Sequence, residues 1–409
     1  MLNRIWSGFF LVAFLVASIK VLYLGDQQVF ADMLAALFAQ AKAAFEIALG
    51  LTGVLALWLG IMRVGEQSGF VRLLTRGLTP LFSRLMPEVP KDHPALAAIV
   101  MNLSANMLGL DNAATPLGIK AMQELQKLNP KPDTASAAQI LFMVINSSSV
   151  TLLPVTIFSY RAQLGAQNPT DVFIPILLAT YISTLTGLLT VAFIQKINLL
   201  DKVVLAYLLG LTVLVGGLLG YFSALPQAQM LAQSALLSQV LLFSLIVAFI
   251  AGAAYQKVDA YAAFIDGAKE GFQTAVTIVP YLVAMLVAIG VFRASGAFAL
   301  LAEALRTAVA ALALDGRFVD ALPTALIKPF SGSAARALMI DTMRTAGVDS
   351  FAGRLVCIVQ GSTETTFYVL AVYLGAVGVR HSRYAVTCGL LADGAGVLAS
   401  IVVAYWFFG

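Results

Sequence analysis

The chain has 409 residues, 60% of them hydrophobic and 11% charged, with a formal charge of +4 and a mean hydropathy of +0.90. Soluble domains are roughly 25% charged, so this composition excludes a soluble protein and puts the chain in a bilayer. The small charge is scattered with no Lys/Arg block, which excludes nucleic acid as a partner and leaves lipid as the surrounding one.

Continuous apolar runs, rather than alternation, point to helices as the spanning elements. The N-terminal stretch "MLNRIWSGFFLVAFLVASIKVLYL" predicts a retained helix over Ile5–Tyr23 rather than a cleaved signal. Its apolar run exceeds the ~7–15 residues of a signal core, and no small-x-small site follows at once. Phe45–Met62 predicts the next crossing, followed by an amphipathic segment, Val64–Leu85, that carries Arg72 and Arg76 among leucines. Ala95–Gln126 starts apolar and breaks at "GLDNAATPLG". Crossings then follow at Ile140–Tyr160, Val172–Ile194, Val203–Tyr221, Leu236–Tyr255 and Thr274–Phe292. A second amphipathic segment, Ala294–Ala313 with Arg306, precedes a second interrupted one, Leu322–Met343, broken by "KPFSGSAARA". Phe351–Val377 and Ala385–Phe408 complete the predicted crossings. Gly, Pro, Asn and Ser in mid-segment free backbone groups, which at membrane depth must face protein or a wet cavity.

These features recur in order. "AKAAFEIALG" at Ala41 parallels "AKEGFQTAVT" at Ala268, Ser68-Gly69 parallels Ser295-Gly296, and Ala113-Ala114 parallels Ala334-Ala335. Met122 then matches Met343, and "INSSSVT" at Ile145 matches "VQGSTET" at Val359. The chain therefore divides into an N-terminal helix and linker (residues 1–40), a first repeat (41–201), two connecting helices (202–267) and a second repeat (268–409). If each interrupted segment is a re-entrant hairpin, an odd number of crossings separates the two repeat starts. The fold class expected is thus an all-α polytopic membrane protein with two homologous, inverted repeats containing broken helices, the plan of secondary carriers. Lys and Arg are too evenly spread to set the orientation.

The sharpest polar signal is "QGSTETTFYV". An acid at membrane depth faces a cavity or a partner, so Glu364 is a candidate for binding solute or a coupling proton. Gln360, Ser362, Thr363 and Thr366 would offer hydrogen bonds beside it; the alternative is a structural knot between packed helices. Asn146 and Ser148 occupy the equivalent place in the first repeat without an acid, and simple packing serves them equally well. Asn102 and Asn106 share a helix face. Asp111 and Asn112 either contact solute or cap the helix that Thr115 and Pro116 open. Ser331 and Ser333 flank a helix start whose amides would point at a bound group. Lys328 either pairs with an acid or snorkels. Asp393, in "GLLADGAGVLAS", either pairs with Lys328 or Arg336 or serves an ion or proton path.

Enzyme signatures are missing: there is no G-x-S-x-G, Walker loop, H-E-x-x-H or dinucleotide fingerprint. Cys357 and Cys388 form no C-x-x-C pair, and His93 and His381 are far apart. Neither an enzyme, a cofactor nor a metal site is expected.

At "GLDNAATPLGIKAMQELQ" and "QGSTETTFYVLAVYLGAVGVRHSRYA" the sequence resembles the spore maturation protein family, the first half the A type and the second the B type, fused in one chain. That family belongs to the nucleoside-recognition or gate group, similar to parts of concentrative nucleoside transporters and of the ferrous iron transporter. Asn112 to Pro116 match the A-type motif; Gln360 to Thr363, Thr366 and Phe367 match the B-type motif. Asp111 departs from an expected Gly, and Glu364 stands where Asp is common. The resemblance implies a bacterial inner-membrane protein, linked in spore formers to dehydration of the spore core. The expected function is secondary transport of a small polar solute, nucleoside-like by resemblance alone. The alternative is a non-transporting module acting in envelope or spore maturation through protein partners. A homo-oligomer is left open.

Overall fold

The computed structural model describes residues 2–109, 111–148, 151–311, 313 and 315–409, without the side chains of Leu2, Asn3, Ile5, Asp111, Asn112 and Ala113. The described backbone is helical almost throughout, as a lipid-embedded chain requires. Helix α1 (Leu2–Ile19) runs through one π-helical turn, Lys20–Leu24, to Gly25. Helices α2 (Val29–Gln67) and α3 (Phe70–Leu85) lead to a hairpin of α4 (Pro94–Met107) and α5 (Asp111–Lys127). A broken pair, α6 (Ala137–Ser147) and α7 (Val155–Gln163), is followed by α8 (Phe173–Gln195). The connecting helices are α9 (Lys202–Ser223) and α10 (Gln227–Tyr255).

The second set repeats this order: α11 (Ala260–Ala294), α12 (Ala297–Ala311), a hairpin of α13 (Leu322–Ile327) and α14 (Gly332–Ala346), a broken pair α15 (Phe351–Ser362) and α16 (Thr366–Ala376), and α17 (Ala385–Phe408). Eight stretches among the described residues are long and apolar enough to cross a membrane, taking α15 with α16 as one.

Several boundaries differ from expectation for physical reasons. Helix α2 starts at Val29 rather than Phe45, and α11 at Ala260 rather than Thr274. Charged residues such as Lys42, Asp266 and Lys269 interrupt an apolar reading but not an α-helix. At 39 residues, α2 is roughly 58 Å long, well beyond the ~30 Å hydrocarbon core. Helix α5 starts at Asp111, so Pro116 lies inside it rather than opening it. The chain turns instead at Gly109, whose φ of +70° belongs to the left-handed region and where a Cβ would meet the Leu153 carbonyl oxygen at 2.7 Å.

Packing contacts fix the inversion. Helices α2 and α11 run antiparallel: Gly60 lies against Phe264, Gly271 against Ala56, and Gly290 against Gln40. The end of α8 returns to the start of α6, where Gln195 Nε2 donates to the Ala137 carbonyl at 2.9 Å. Likewise the end of α17 returns to the start of α15, with the Phe351 and Tyr405 rings 4.8 Å apart. The start of α8, however, lies beside the start of α15, since Asp171 takes Arg354 Nε at 2.8 Å. Equivalent elements therefore occupy opposite ends of the molecule, as inverted repeats require.

The two ends are closed differently. At one, the loop before α6 meets the loop before α17 through backbone: Arg380 N and His381 N donate to the Asp133 carbonyl (2.8 and 3.0 Å) and Ala135 N to the His381 carbonyl (2.9 Å). At the other, the same pair of elements with the repeats exchanged is clamped by charge. Arg161 is fully buried and reaches Asp171 at 2.8 Å and Asp349 at 2.9 Å, while Arg354 also holds Asp171. The Arg161–Asp171 approach is an ion contact, because Asp171 Oδ1 receives no hydrogen bond among the described residues. Burial pushes the Asp171 carboxyl above its usual value, and the Arg161 and Arg354 guanidinium groups oppose that shift.

Candidate functional site

The two broken pairs meet at their breaks. Helix α6 stops at Ser147 and α7 starts after Pro154; α15 stops at Ser362 and α16 starts after Thr365. The Glu364 N–H donates across the repeats to the Ser147 carbonyl at 2.7 Å, so one break satisfies a backbone group of the other. Each hairpin tip then accepts from the break of its own repeat: Leu152 N donates to the Met107 carbonyl (2.8 Å), and Phe367 N to the Pro329 carbonyl (3.0 Å). Four interruptions of helical sequence thus converge on one region.

A cavity of about 100 Å³ lies between them. One wall is the first hairpin tip and break, with Asn106, Thr151 and Thr156; the other is the second, with Lys328, Arg336, Gln360, Thr363, Glu364 and Thr365. The first turns of α7 and α14 border it, and Thr365 at the N-cap of α16 does too. Helix N-termini carry partial positive charge. Gly332 allows close approach here: a Cβ on it would meet Thr365 Oγ1 at 2.6 Å. Glu364 is exposed at this lining, whereas Gln360 is 7% and Thr363 4% exposed. The Gln360 side-chain oxygen is buried without a hydrogen-bond partner among the described residues. The Arg336 guanidinium lies near the Tyr160 hydroxyl and forms no ion pair with a carboxylate among the described residues.

Of the residues singled out from sequence, Asn106, Gln360, Thr363 and Glu364 line this cavity together. Asn102 and Asn146 do not; they form a buried knot with Tyr373. There Asn102 Nδ2 donates to the Ala114 carbonyl (2.7 Å) and to Tyr373 Oη (3.3 Å), Asn146 Nδ2 donates to Asn102 Oδ1, and Tyr373 Oη donates to Asn146 Oδ1 (3.4 Å). Ser148 and Ser362 turn back to their own helices, on the Val144 and Val359 carbonyls at 2.8 and 2.9 Å. Ser331 caps α14 by accepting from Ala334 N at 3.2 Å, with the Ser333 hydroxyl 3.3 Å away. Thr115 is half-buried away from the cavity lining. The side chains of Asp111 and Asn112 lie outside the described residues.

Asp393 lies behind the breaks rather than in the cavity wall. It is 3% exposed, and neither carboxylate oxygen has a hydrogen-bond partner among the described residues. The Thr363 and Thr366 hydroxyls and the Lys328 charge lie within electrostatic reach of it. Thr366 is itself buried with an unpartnered hydroxyl.

Sequence reasoning missed the Tyr373 knot and the place of Arg336, Thr151 and Thr156 at the cavity, whereas Thr365, one of the hydroxyls beside Glu364 in the sequence, does line it. Thr366 and Tyr373, seven apart on α16, share a face, and that spacing could have flagged Tyr373. Nothing local pairs Arg336 with a cavity whose other walls lie far away in sequence.

Fold and site together define a multi-pass helical membrane protein built from two inverted repeats around a polar centre. The chain belongs to the nucleoside recognition (Gate) family, which matches residues 48–164 and 275–380, more than half of it. It is similar to spore maturation protein A of Bacillus subtilis (strain 168), with 42% identity over 183 residues, covering 45% of this chain and 90% of that one. It is also similar to spore maturation protein B of the same organism, with 48% identity over 154 residues, covering 38% of this chain and 85% of that one. A-like and B-like parts are thus joined in a single chain. The crystal structure of the Alcanivorax borkumensis YdaH transporter superimposes with a TM-score of 0.43 and 18% identity over 98% of this chain and 97% of that one, a likeness too distant to inform the fold or activity here.

Proposed function

We propose that this chain is a secondary transporter of a small polar organic solute in a bacterial inner membrane. The observation that carries the reading is the meeting of both broken helices and both hairpin tips at one polar cavity, tied across the repeats by the Glu364–Ser147 hydrogen bond. Inverted repeats with interrupted helices in matching positions are the architecture of carriers, with the binding site at the repeat interface. In this reading Glu364 binds solute or the coupling proton, and Gln360, Thr363 and Asn106 supply hydrogen bonds. Asp393, buried behind Thr363 and Thr366, is the second proton candidate.

The family's name makes nucleosides the first solutes to test. The test is uptake and counterflow in proteoliposomes, with nucleosides, amino acids and carboxylates under separately imposed sodium and proton gradients. Flux that falls in Glu364→Gln supports the reading. Absence of flux for every solute, in folded protein, rejects it. The names of the two curated relatives favour a second reading, a module acting in spore or envelope maturation through protein partners. On that reading the polar centre is packing alone, and no solute moves.

A further inference from the structure

Away from the polar centre, an apolar groove runs between α3, α4, α8 and α9. Its walls include Leu81 and Phe82 of α3, Leu103 and Met107 of α4, Leu188 of α8 and Leu211 of α9. The hydroxyl donors in it are already spent. Tyr181 Oη meets Thr212 Oγ1 at 2.6 Å, and Thr212 in turn donates to the Leu208 carbonyl at 2.6 Å. Tyr207 donates to the Gly77 carbonyl and Thr184 to the Ser148 carbonyl. The groove therefore offers an occupant apolar burial and dispersion contacts. Leu211 and Leu214 on its lip are exposed, so it opens sideways to the acyl chains of the bilayer.

A polar pocket adjoins it, and Leu85 lines both. On α8 the groove reaches Leu188 and the pocket begins at Gln195; on α9 the pocket holds Asp201, the N-cap, and the groove begins at Ala206. The groove follows α9 to Leu214, roughly 6–18 Å along the helix from its start, a depth that matches one leaflet of a ~30 Å hydrocarbon core. The pocket carries three cations, Arg84, Lys91 and Lys196, and two carboxylates, Glu88 and Asp201. Both carboxylates are engaged: Glu88 accepts from Ala138 N in the first turn of α6, and Asp201 accepts from Val203 N at 2.9 Å. Arg84 reaches Asp201 only at 3.9 Å, and Lys91 and Lys196 make no ion pair among the described residues.

We infer that groove and pocket together seat one anionic phospholipid, with an acyl chain in the groove and the phosphate at Arg84, Lys91 and Lys196. Basic pockets between membrane helices bind acidic headgroups. The order along α8 and α9, cations at the helix ends and apolar walls below them, is the order of a lipid leaflet. A neutral lipid would fill the groove and leave the cations unanswered. The seat also bears on the polar centre. Met107 and Ile145 line the groove, and the Met107 carbonyl accepts Leu152 N at the first break. A seated chain thus braces the back of the first hairpin.

The experiment titrates dioleoyl phosphatidylglycerol into the detergent-purified full chain and counts bound lipid by native mass spectrometry. Dioleoyl phosphatidylcholine, with the same chains and no net charge, and glycerol 3-phosphate, the headgroup anion alone, are the comparisons. Phosphatidylglycerol should bind at least about tenfold more tightly than phosphatidylcholine, and glycerol 3-phosphate should not displace it. Lys91→Gln with Lys196→Asn should abolish most of that preference, each lysine being worth about fivefold beside an acidic headgroup. Asparagine suits the left-handed backbone at position 196, where φ is +54°. Gly210→Leu fills the groove without a clash, since a Cβ there meets nothing within 4 Å, and should weaken both lipids together. Gly216→Leu, equally open but outside the groove, is the control. Phosphatidylglycerol should raise the melting temperature of wild type and Gly216→Leu but not of Gly210→Leu, as bracing requires. Equal binding of the two lipids by wild type, or a preference that survives the lysine double variant, overturns the inference. Displacement by glycerol 3-phosphate, or lipid binding unmoved by Gly210→Leu, would leave a bare anion site and overturn it too.

Discussion

Replacing Arg161 by Met should be the most damaging single change at the charged end of the molecule. The guanidinium is fully buried and donates to the carbonyls of Pro169 (3.2 Å), Val348 (2.9 Å) and Asn168 (3.3 Å) as well as to Asp349 Oδ1 (2.9 Å). Removing one partner of a buried ion pair costs about 3–5 kcal/mol, because the other charge stays buried and uncompensated. The two carboxylates do not suffer equally. Asp171 keeps Arg354 at 2.8 Å, whereas Asp349 keeps it only at 3.9 Å, retains one backbone donor, Gln167 N at 2.9 Å, and loses its close cation. With Asp349 25% exposed, water relieves part of its loss, so an overall cost near 3 kcal/mol, the lower end, is expected. Adding Asp349→Asn to Arg161→Met should then recover about 1–2 kcal/mol by removing the charge left without its close cation. The assay is unfolding of the purified protein in detergent, comparing wild type, both single variants and the double variant. A double variant no more stable than Arg161→Met alone would refute the reasoning, since the loss would then come from packing or from the stranded carbonyls of Pro169, Val348 and Asn168 rather than from an unpaired charge.

Three other outcomes follow from the same contacts. Tyr373→Phe removes the hydroxyl that links Asn102 and Asn146 and should destabilise by about 1–3 kcal/mol, whereas Tyr368→Phe on the exposed face of α16 should change little; equal melting shifts would contradict the knot. Gly271→Val should loosen the antiparallel α2–α11 pair, because a Cβ there meets Ala56 Cα at 2.5 Å and Leu55 C at 2.8 Å, backbone atoms that cannot turn aside. A loss of about 1–3 kcal/mol is expected, read as reduced thermal stability and weaker monodispersity. Gly109→Ala places a side chain at a φ of +70° and against the Leu153 carbonyl, so it should cost at least about 1 kcal/mol and distort the cavity. Solute binding should fall in step, and full binding would show that the hairpin tip does not shape the site.

How much of this was legible in the sequence depended on whether the signal was local. The broken helices were legible because "INSSSVT" and "QGSTETT" put hydroxyls and amides where a plain crossing has leucines. The hairpins were legible because Gly and Pro punctuate otherwise apolar runs. The inversion followed from counting crossings, and antiparallel α2 and α11 give it physical form. The lengths of α2 and α11 were hidden, since scattered charges at their starts interrupt hydropathy without weakening helix formation. The site was half legible. Glu364 and Gln360 stood out as polar groups in an apolar chain, and both reach the cavity. Asn102 and Asn146 stood out equally but satisfy each other and Tyr373, a distinction that depends on the 271-residue separation of Asn102 from Tyr373. The Arg161 clamp was not legible at all, because each of its charges reads locally as an ordinary loop or helix-end residue.

Secondary transport, as proposed, requires the polar centre to open to water alternately on the two sides of the membrane. The direct measurement uses Thr363→Cys in sealed vesicles of both orientations, probed with a small membrane-impermeant thiol reagent with and without bound solute. Wild type serves as the blank, because Cys357 and Cys388 are both fully buried. The account predicts labelling from both sides, with solute or an ion gradient shifting the balance between them. Protection from both sides, or labelling from one side only under every condition, would contradict it.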